Sequence, residues 1–179
     1  YIGSGKGLNL PAMVKDYQLL RWVGANSYRT SHYPYSEEEM QLADREGFLI
    51  IDETPSVSIQ FENEENMAAR LPQCLRYIDE MIARDKNHPS VVMWSVANEP
   101  MPRNTAERMA GKLVADPLED AARDFLHRLV ARARELDPTR LVTLVSVMPG
   151  PDAWLETCDV ICKNLYWGWY VLGGELDKG

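Results

Sequence analysis

Short apolar runs that end in polar, chemically capable residues recur along this chain, with a helix-length amphipathic stretch before or between them. Asn26-Ser27-Tyr28-Arg29-Thr30, a more polar segment, reads as a short strand that leads into Ser31-His32, while the apolar run 48–51 ends in Asp52-Glu53 and the run 91–96 delivers Asn98-Glu99. Two more runs, 141–145 and 160–162, follow, and the last precedes Asn164-Leu165-Tyr166. A continuous apolar run of this length is the pattern of a strand covered on both faces. The intervening stretches carry the helical period. Residues 11–23 place Met13, Tyr17 and Leu20 on one stripe and stop at Gly24. Ser36 offers an N-cap, with Glu39 three residues on as the capping-box acid, and that helix ends at Gly47. A third helix is expected over about 72–84, with a possible extra turn before it, because Pro72 is tolerated best in a first turn. Asp116, Pro117 and Glu119 mark the start of a fourth, whose stripe runs from Leu118 to Leu136.

Alternation of helix and strand builds an α/β fold on a parallel sheet. Two architectures compete. A doubly wound sheet is expected to carry a glycine-rich phosphate turn after a strand, and Gly3, Gly5 and Gly7 lack both the preceding strand and the G-x-G-x-x-G spacing. A TIM-type (β/α)8 barrel instead concentrates its chemistry at the C-terminal ends of its strands, which is where the polar residues fall here. A barrel needs about 250 residues. A chain of 179 residues is therefore expected to be a partial barrel, and its opening without Met suggests a longer parent.

The formal charge of -8, from 19 Lys and Arg against 27 Asp and Glu, repels phosphate backbones and anionic lipid, so neither nucleic acid nor a membrane is the expected partner. The longest apolar stretches fall far short of the 18 or so residues that span a bilayer, and residues 1–6 lack the apolar core of a signal peptide. Cys74, Cys158 and Cys162 sit among apolar neighbours and form no even framework, so they read as reduced, small hydrophobes. Together these features favour a cytoplasmic, bacterial setting. No metal site is expected, since the C-x-x-x-C spacing has no accompanying Cys or His pair and His32, His88 and His127 are dispersed. No cofactor is implied.

Glu99 is the sharpest chemical signal. A carboxylic acid after a dry strand, between Asn98 and the turn-fixing Pro100, stands at a barrel mouth where burial suits general acid work; the alternative is a loop cap. Asp52 and Glu53 on the neighbouring strand could supply the second carboxylate of a retaining glycosidase. The preferred reading makes them supporting groups that hold Arg29 or a loop amide. His32, just past a strand end, can face a pocket as a donor. Tyr166-Trp167-Gly168-Trp169-Tyr170 gathers four aromatic residues in five positions, which suits the flat apolar faces and hydroxyls of a sugar.

Residues 84–100, RDKNHPSVVMWSVANEP, closely resemble the acid/base signature of glycoside hydrolase family 2, in particular its β-glucuronidases. The segments 20–26, 28–35, 51–55, 136–140 and 164–170 resemble further β-glucuronidase segments in the same order. The resemblance implies a retaining β-glycosidase on a (β/α)8 barrel, of which this chain spans about strands 2 to 6. It makes Glu99 the catalytic acid/base and Asn98 the partner of the sugar 2-hydroxyl. Asn164 and Tyr166 match positions around the nucleophile and sugar, and Tyr170 matches a tyrosine that reaches the glucuronate carboxylate. His32 and Trp169 are further substrate-binding candidates, and Arg29, Asp52, Glu53 and Trp94 are expected behind them in support. The implied substrate is a β-D-glucuronide, and the full-length enzyme is expected to be a homo-oligomer.

The chain also departs from the family pattern. The nucleophile belongs to an E-Y-G-like motif on a later strand, and the N-x-K element that grips the substrate carboxylate is also downstream; neither occurs in residues 1–179. Residues 55–71 are too few for the long active-site loop of some gut bacterial enzymes. The isolated chain is thus expected to be inactive. Two alternatives stay open: a family 2 specificity of the β-galactosidase type, and a non-catalytic carbohydrate-binding barrel fragment.

Overall fold

The computed structural model describes residues 3, 5, 7–112, 115–148, 150–175 and 177. The signal-peptide reading of residues 1–6 therefore falls mostly outside the described residues. Five parallel strands lie in the order β1 (Ser27–Arg29), β2 (Leu49–Glu53), β3 (Val91–Asn98), β4 (Leu141–Val147) and β5 (Cys162–Asn164), each hydrogen-bonded to its sequence neighbours. Helices α1 (Leu10–Trp22), α2 (Glu37–Glu46), α3 (Glu64–Asp85), α4 (Thr105–Met109) and α5 (Glu119–Leu136) precede or separate the strands, and a 3-10 turn at Asp152–Leu155 leads toward β5. Successive parallel pairing with helical crossovers is the topology of a barrel rather than of a doubly wound sheet, whose strand order reverses at a switch point. The molecule is a partial TIM barrel, as the strand-end pattern predicts.

The helix boundaries show which local signals prevailed. Asn9 caps α1 by accepting from the Ala12 amide at 3.1 Å. Gly24, at φ +80°, closes it in the paired arrangement of a Schellman motif, with Gly24 N–H on Arg21 O and Ala25 N–H on Leu20 O. Ser36 Oγ accepts from the Glu39 amide at 3.2 Å, so half of the expected capping box is present. The Glu39 side chain turns the other way and accepts from Tyr28 Oη at 3.0 Å.

Helix α3 starts at Glu64, eight residues before Pro72, and carries the proline inside. An interior proline costs roughly 3 kcal/mol. The Asn63 side chain caps the extra two turns at 2.8 Å, and burial of Met67 and Leu71 in the core offsets the proline. Asp116 does not cap α5 in the expected way. It folds a turn ahead of the helix, accepting the Leu118 amide at its side chain, and α5 begins at Glu119. Strand β5 lies two residues later than the apolar run 160–162, because Val145 pairs with Cys162 and Val147 with Asn164, while Ile161 is exposed.

The core lies between sheet and helices. Ile50, Trp94, Val96 and Leu144 on the strands meet Ile78, Leu126 and Leu129 on α3 and α5, all fully buried. Trp154 from the 3-10 turn and Phe61 from the loop after β2 close its upper part edge to face, with ring centres 5.3 Å apart.

Candidate functional site

The strand that delivers Glu99 is irregular at the point of delivery. Ser95 pairs with Thr143 and Asn98 with Val145, so β3 spends three steps where β4 spends two. Such a bulge bends a strand and re-aims the side chains beyond it. Glu99 then takes φ +49°, a left-handed conformation that side chains rarely adopt, and its amide donates to Val145 O at 2.7 Å. Strained backbone of this kind persists only where its surroundings hold it.

One oxygen of Glu99 is held by two donors, one at the end of β5 and one just past it. Asn164 Nδ2 donates to Glu99 Oε1 at 2.8 Å and lies 3.2 Å from Asn98 Oδ1. Tyr166 Oη donates to the same Glu99 Oε1 in a short hydrogen bond. Burial, together with the neighbouring Glu99 carboxylate, pushes the Tyr166 phenol up to about 12. Tyr166 therefore stays protonated and donating at neutral pH. With Oε1 occupied, Oε2 is the oxygen on which Glu99 can carry and release a proton.

A second cluster stands on β1 and β2. Glu53 is fully buried and takes Ser95 Oγ at 2.7 Å, His32 Nδ1 at 2.9 Å and the Arg29 Nε ion pair at 3.4 Å. A buried carboxylate is tolerated when it is paired and hydrogen-bonded in this way. All of its oxygens are engaged inward, which suits a group that fixes Arg29 and His32. A cavity of about 810 Å³ between α1 and the loop at 33–36 shares only Arg29 with these residues.

The chain matches the family described as glycosyl hydrolases family 2, TIM barrel domain, over residues 3–178. It belongs to glycosyl hydrolase family 2. The β-glucuronidases of Homo sapiens and Sus scrofa are 44% and 47% identical to it over 174 residues, covering 97% of this chain and 24% of each relative. The β-D-glucuronidase of Dictyoglomus thermophilum is 40% identical with a TM-score of 0.79. The Bifidobacterium dentium β-glucuronidase, solved with coumarin-3-O-glucuronide, is 40% identical with a TM-score of 0.80. These two structures are matched over 97% of this chain and 29% and 27% of theirs. The chain thus spans about a quarter of the length of the curated relatives it matches.

In this family 2 chain the aromatic segment after β5 folds back on itself. Tyr166 O accepts from the amides of Trp169 and Val171, Gly168 takes φ +79° at the turn, and Trp169 stacks on Tyr170 with ring centres 4.6 Å apart. Tyr170 also meets Tyr166 edge-on at 5.0 Å. Tyr166 is hydrogen-bonded to Glu99, while Trp169 and Tyr170 are exposed.

Trp94 is not brought to the site. Its indole Nε1 donates to Asp137 Oδ2 at 3.0 Å, and Arg140 lies over its ring while bonding Val91 O. Asp137 and Arg140 precede β4, so this group braces the opposite end of the sheet. His88 is there too, bound to Asp44 at 2.6 Å.

Asp52 and Glu53 part company despite being neighbours. Alternation along β2 sends Asp52 away from Glu53, where Thr30 Oγ1 donates to Asp52 Oδ1 at 2.9 Å and the other oxygen finds no N–H or O–H donor. Burial and the adjacent Asp85 carboxylate push Asp52 up to about 8. Asp85 is itself clasped by Arg84 through two bonds of 2.7 and 2.6 Å. A proton held between Asp52 and Asp85 lets the two buried carboxyls coexist.

The folded protein thus holds a proton that the unfolded chain, titrating near 4, has lost. The stabilisation from Asp52 is full below about 4, declines as pH rises, and is gone above about 8. Melting temperatures measured from pH 5 to 9 are expected to fall less steeply in Asp52→Asn than in the parent. Identical slopes would remove Asp52 as the titrating group.

Ser95, Thr30 and Asp85 were not signalled as site or supporting residues by any motif. Ser95 could have been suspected from its place in the apolar run 91–96, where a lone hydroxyl needs a partner.

Proposed function

We propose that this chain supplies the acid/base side of a retaining β-glucuronidase site, with Glu99 as the acid/base. The carrying observation is the grip on Glu99: one carboxyl oxygen is pinned by Asn164 and Tyr166 at the end of a bulged strand, and the other is left for proton transfer. In the first half-reaction Glu99 Oε2 gives its proton to the glycosidic oxygen as the bond from that oxygen to the anomeric carbon breaks, and the sugar passes to a nucleophilic carboxylate. In the second, ionised Glu99 takes a proton from water as the water oxygen bonds the anomeric carbon and the nucleophile leaves. Asn98 bonds the sugar 2-hydroxyl, a contact that strengthens toward the oxocarbenium-like transition state.

Glucuronide specificity is supported by the names and ligands of the relatives, including the coumarin glucuronide bound by the Bifidobacterium dentium enzyme. The nucleophile and the cation that meets the substrate carboxylate are assigned to parts of the protein outside residues 1–179. A net charge of -8 on the residues present accords with that.

Two measurements test this function. The protein that carries this chain is expected to hydrolyse a glucuronide chromogen at least about 10²-fold faster than the corresponding galactoside. The isolated 179 residues are expected to hydrolyse neither. A preference for galactoside would overturn the sugar assignment, and turnover by the isolated chain would overturn the division of the two carboxylates.

A further inference from the structure

Glu53, fully buried at the end of β2, joins the strands on either side of it. From the end of β1 come the Arg29 Nε ion pair at 3.4 Å and His32 Nδ1 at 2.9 Å, and from β3 comes Ser95 Oγ at 2.7 Å. Ser95 and the Arg29 cation both meet Oε2, while His32 meets Oε1. A carboxylate engaged by a cation and a hydroxyl accepts hydrogen bonds and has no proton to give. The bond to His32 therefore needs its hydrogen on Nδ1, and a neutral imidazole protonated there keeps a lone pair on Nε2. The His32 side chain is 41% exposed whereas that of Glu53 is 0% exposed, so the ring turns one nitrogen to the buried carboxylate and keeps an accessible edge. Sequence position suggests a donor at His32. That donor is spent on Glu53, and what the neutral ring has left is an acceptor.

The acceptor stands within about one sugar ring of the acid/base. Strands β1, β2 and β3 are successive and parallel. Paired strands lie about 4.8 Å apart, which sets the ends of β1 and β3 about 10 Å from each other. A pyranose with a hydrogen bond on each side fills such a gap. Ser95 lies opposite Glu53 in register and four residues before Glu99, so one carboxylate ties His32 to the strand that carries Asn98 and Glu99. A partner behind a functional imidazole fixes both its tautomer and its orientation.

We infer that Glu53 is a positioning residue for the sugar: by taking the Nδ1 hydrogen of His32 it presents Nε2 as an acceptor, so that the site selects a ring hydroxyl able to donate there. The inference rests on Glu99 being the acid/base of a glucuronidase. With the 2-hydroxyl assigned to Asn98, the hydroxyl concerned is the one on carbon 3 or carbon 4 of the glucuronide.

Two readouts in the protein that carries this chain test it. In protein labelled with nitrogen-15 histidine, with the His32 signals identified by their loss in His32→Gln, the neutral ring is expected to show a protonated Nδ1 and an unprotonated Nε2. A proton on Nε2 would overturn the inference. The second readout is kcat/KM for nitrophenyl glucuronides whose 3- or 4-hydroxyl is replaced by fluorine, which cannot donate. In the parent, fluorine at one of these positions is expected to cost about 10²-fold or more. Glu53→Gln, whose amide can donate to Nδ1 and so move the imidazole hydrogen to Nε2, is expected to shrink that penalty about tenfold, and His32→Ala to shrink it as well. The inductive cost of fluorine is common to parent and variants, so it leaves the comparison unaffected. A Glu53 that only braces the fold lowers every rate in proportion, and an unchanged fluorine penalty in Glu53→Gln would thus overturn the inference. Should Glu53→Gln not fold, the same penalty in His32→Ala and the spectrum of the parent decide. If the parent hydrolyses no glucuronide, the function proposed for Glu99 fails and the sugar contact fails with it, while the spectrum separately shows whether Glu53 holds Nδ1.

Discussion

Replacing Glu99 by Gln in the protein that carries this chain is expected to lower the turnover of alkyl glucuronides by about 10²- to 10⁴-fold, the usual contribution of a positioned general acid and the loss that the proposed role of Glu99 requires. A much smaller loss is expected for a nitrophenyl glucuronide, because an activated phenolate departs without a proton. Gln keeps the shape of the side chain and can still accept from Asn164 and Tyr166 at its carbonyl oxygen, so the variant removes the transferable proton and little else. Steady-state and burst kinetics on the two substrates separate the steps: with the activated phenol, glycosyl transfer to the nucleophile stays fast and the water step, which lacks its base, becomes limiting. Equal losses on both substrates, without a burst, would sink the acid/base assignment and return Glu99 to a structural cap.

Trp94→Ala is expected to destabilise the protein by about 3–5 kcal/mol, the range for removing a fully buried large aromatic side chain. The ring is completely enclosed, with Arg140 over its face at 5.5 Å and its N–H on Asp137. Asp137 keeps its partners Arg140 and Thr139, whose bonds hold its carboxyl well below the usual carboxylate range despite some burial. The cost is thus mainly cavity and lost packing. In a unit of this size it corresponds to a melting transition lower by about 10 °C or more. Trp94→Phe, which keeps most of the ring volume and gives up the N–H bond, is expected to cost about 1 kcal/mol. A shift of under about 2 °C for Trp94→Ala would show that Trp94 does not brace the lower end of the sheet.

The two residues also mark where sequence reasoning succeeds and where it stops. Glu99 stands out locally, because an acid that comes at the end of a mostly apolar strand, between Asn98 and a proline, is anomalous unless it is used. Trp94 lies in the same strand, inside the segment of strongest family resemblance, and sequence proximity suggested that it supports the site. The pleat sends it into the core on the helix side of the sheet, and its N–H finds a carboxylate 43 residues away. Asp52 and Glu53 make the same point in two adjacent positions: one faces Arg29, His32 and Ser95, the other faces Asp85. Helix α3 shows the limit for secondary structure. Pro72 is a correct local argument for a later start, and burial of Met67 and Leu71, invisible without the third dimension, outweighed it.

Alternating periodicity, glycine stops and polar strand ends were enough to establish a parallel α/β barrel and to put Glu99, Asn98, Asn164 and Tyr166 at the same end of it. Those signals are local: each rests on a handful of neighbouring residues and on the repeat of one element. The meeting of Asn164 and Tyr166 with a single oxygen of Glu99, across more than 60 residues of chain, depends on the extra residue in β3 and on the register of β5 two places beyond its apolar run. The proton that holds Asp52 beside Asp85 depends on α3 returning to β2. Register, bulge and helix return are settled by packing across the whole sheet, and no window of the sequence contains both partners of any of these contacts.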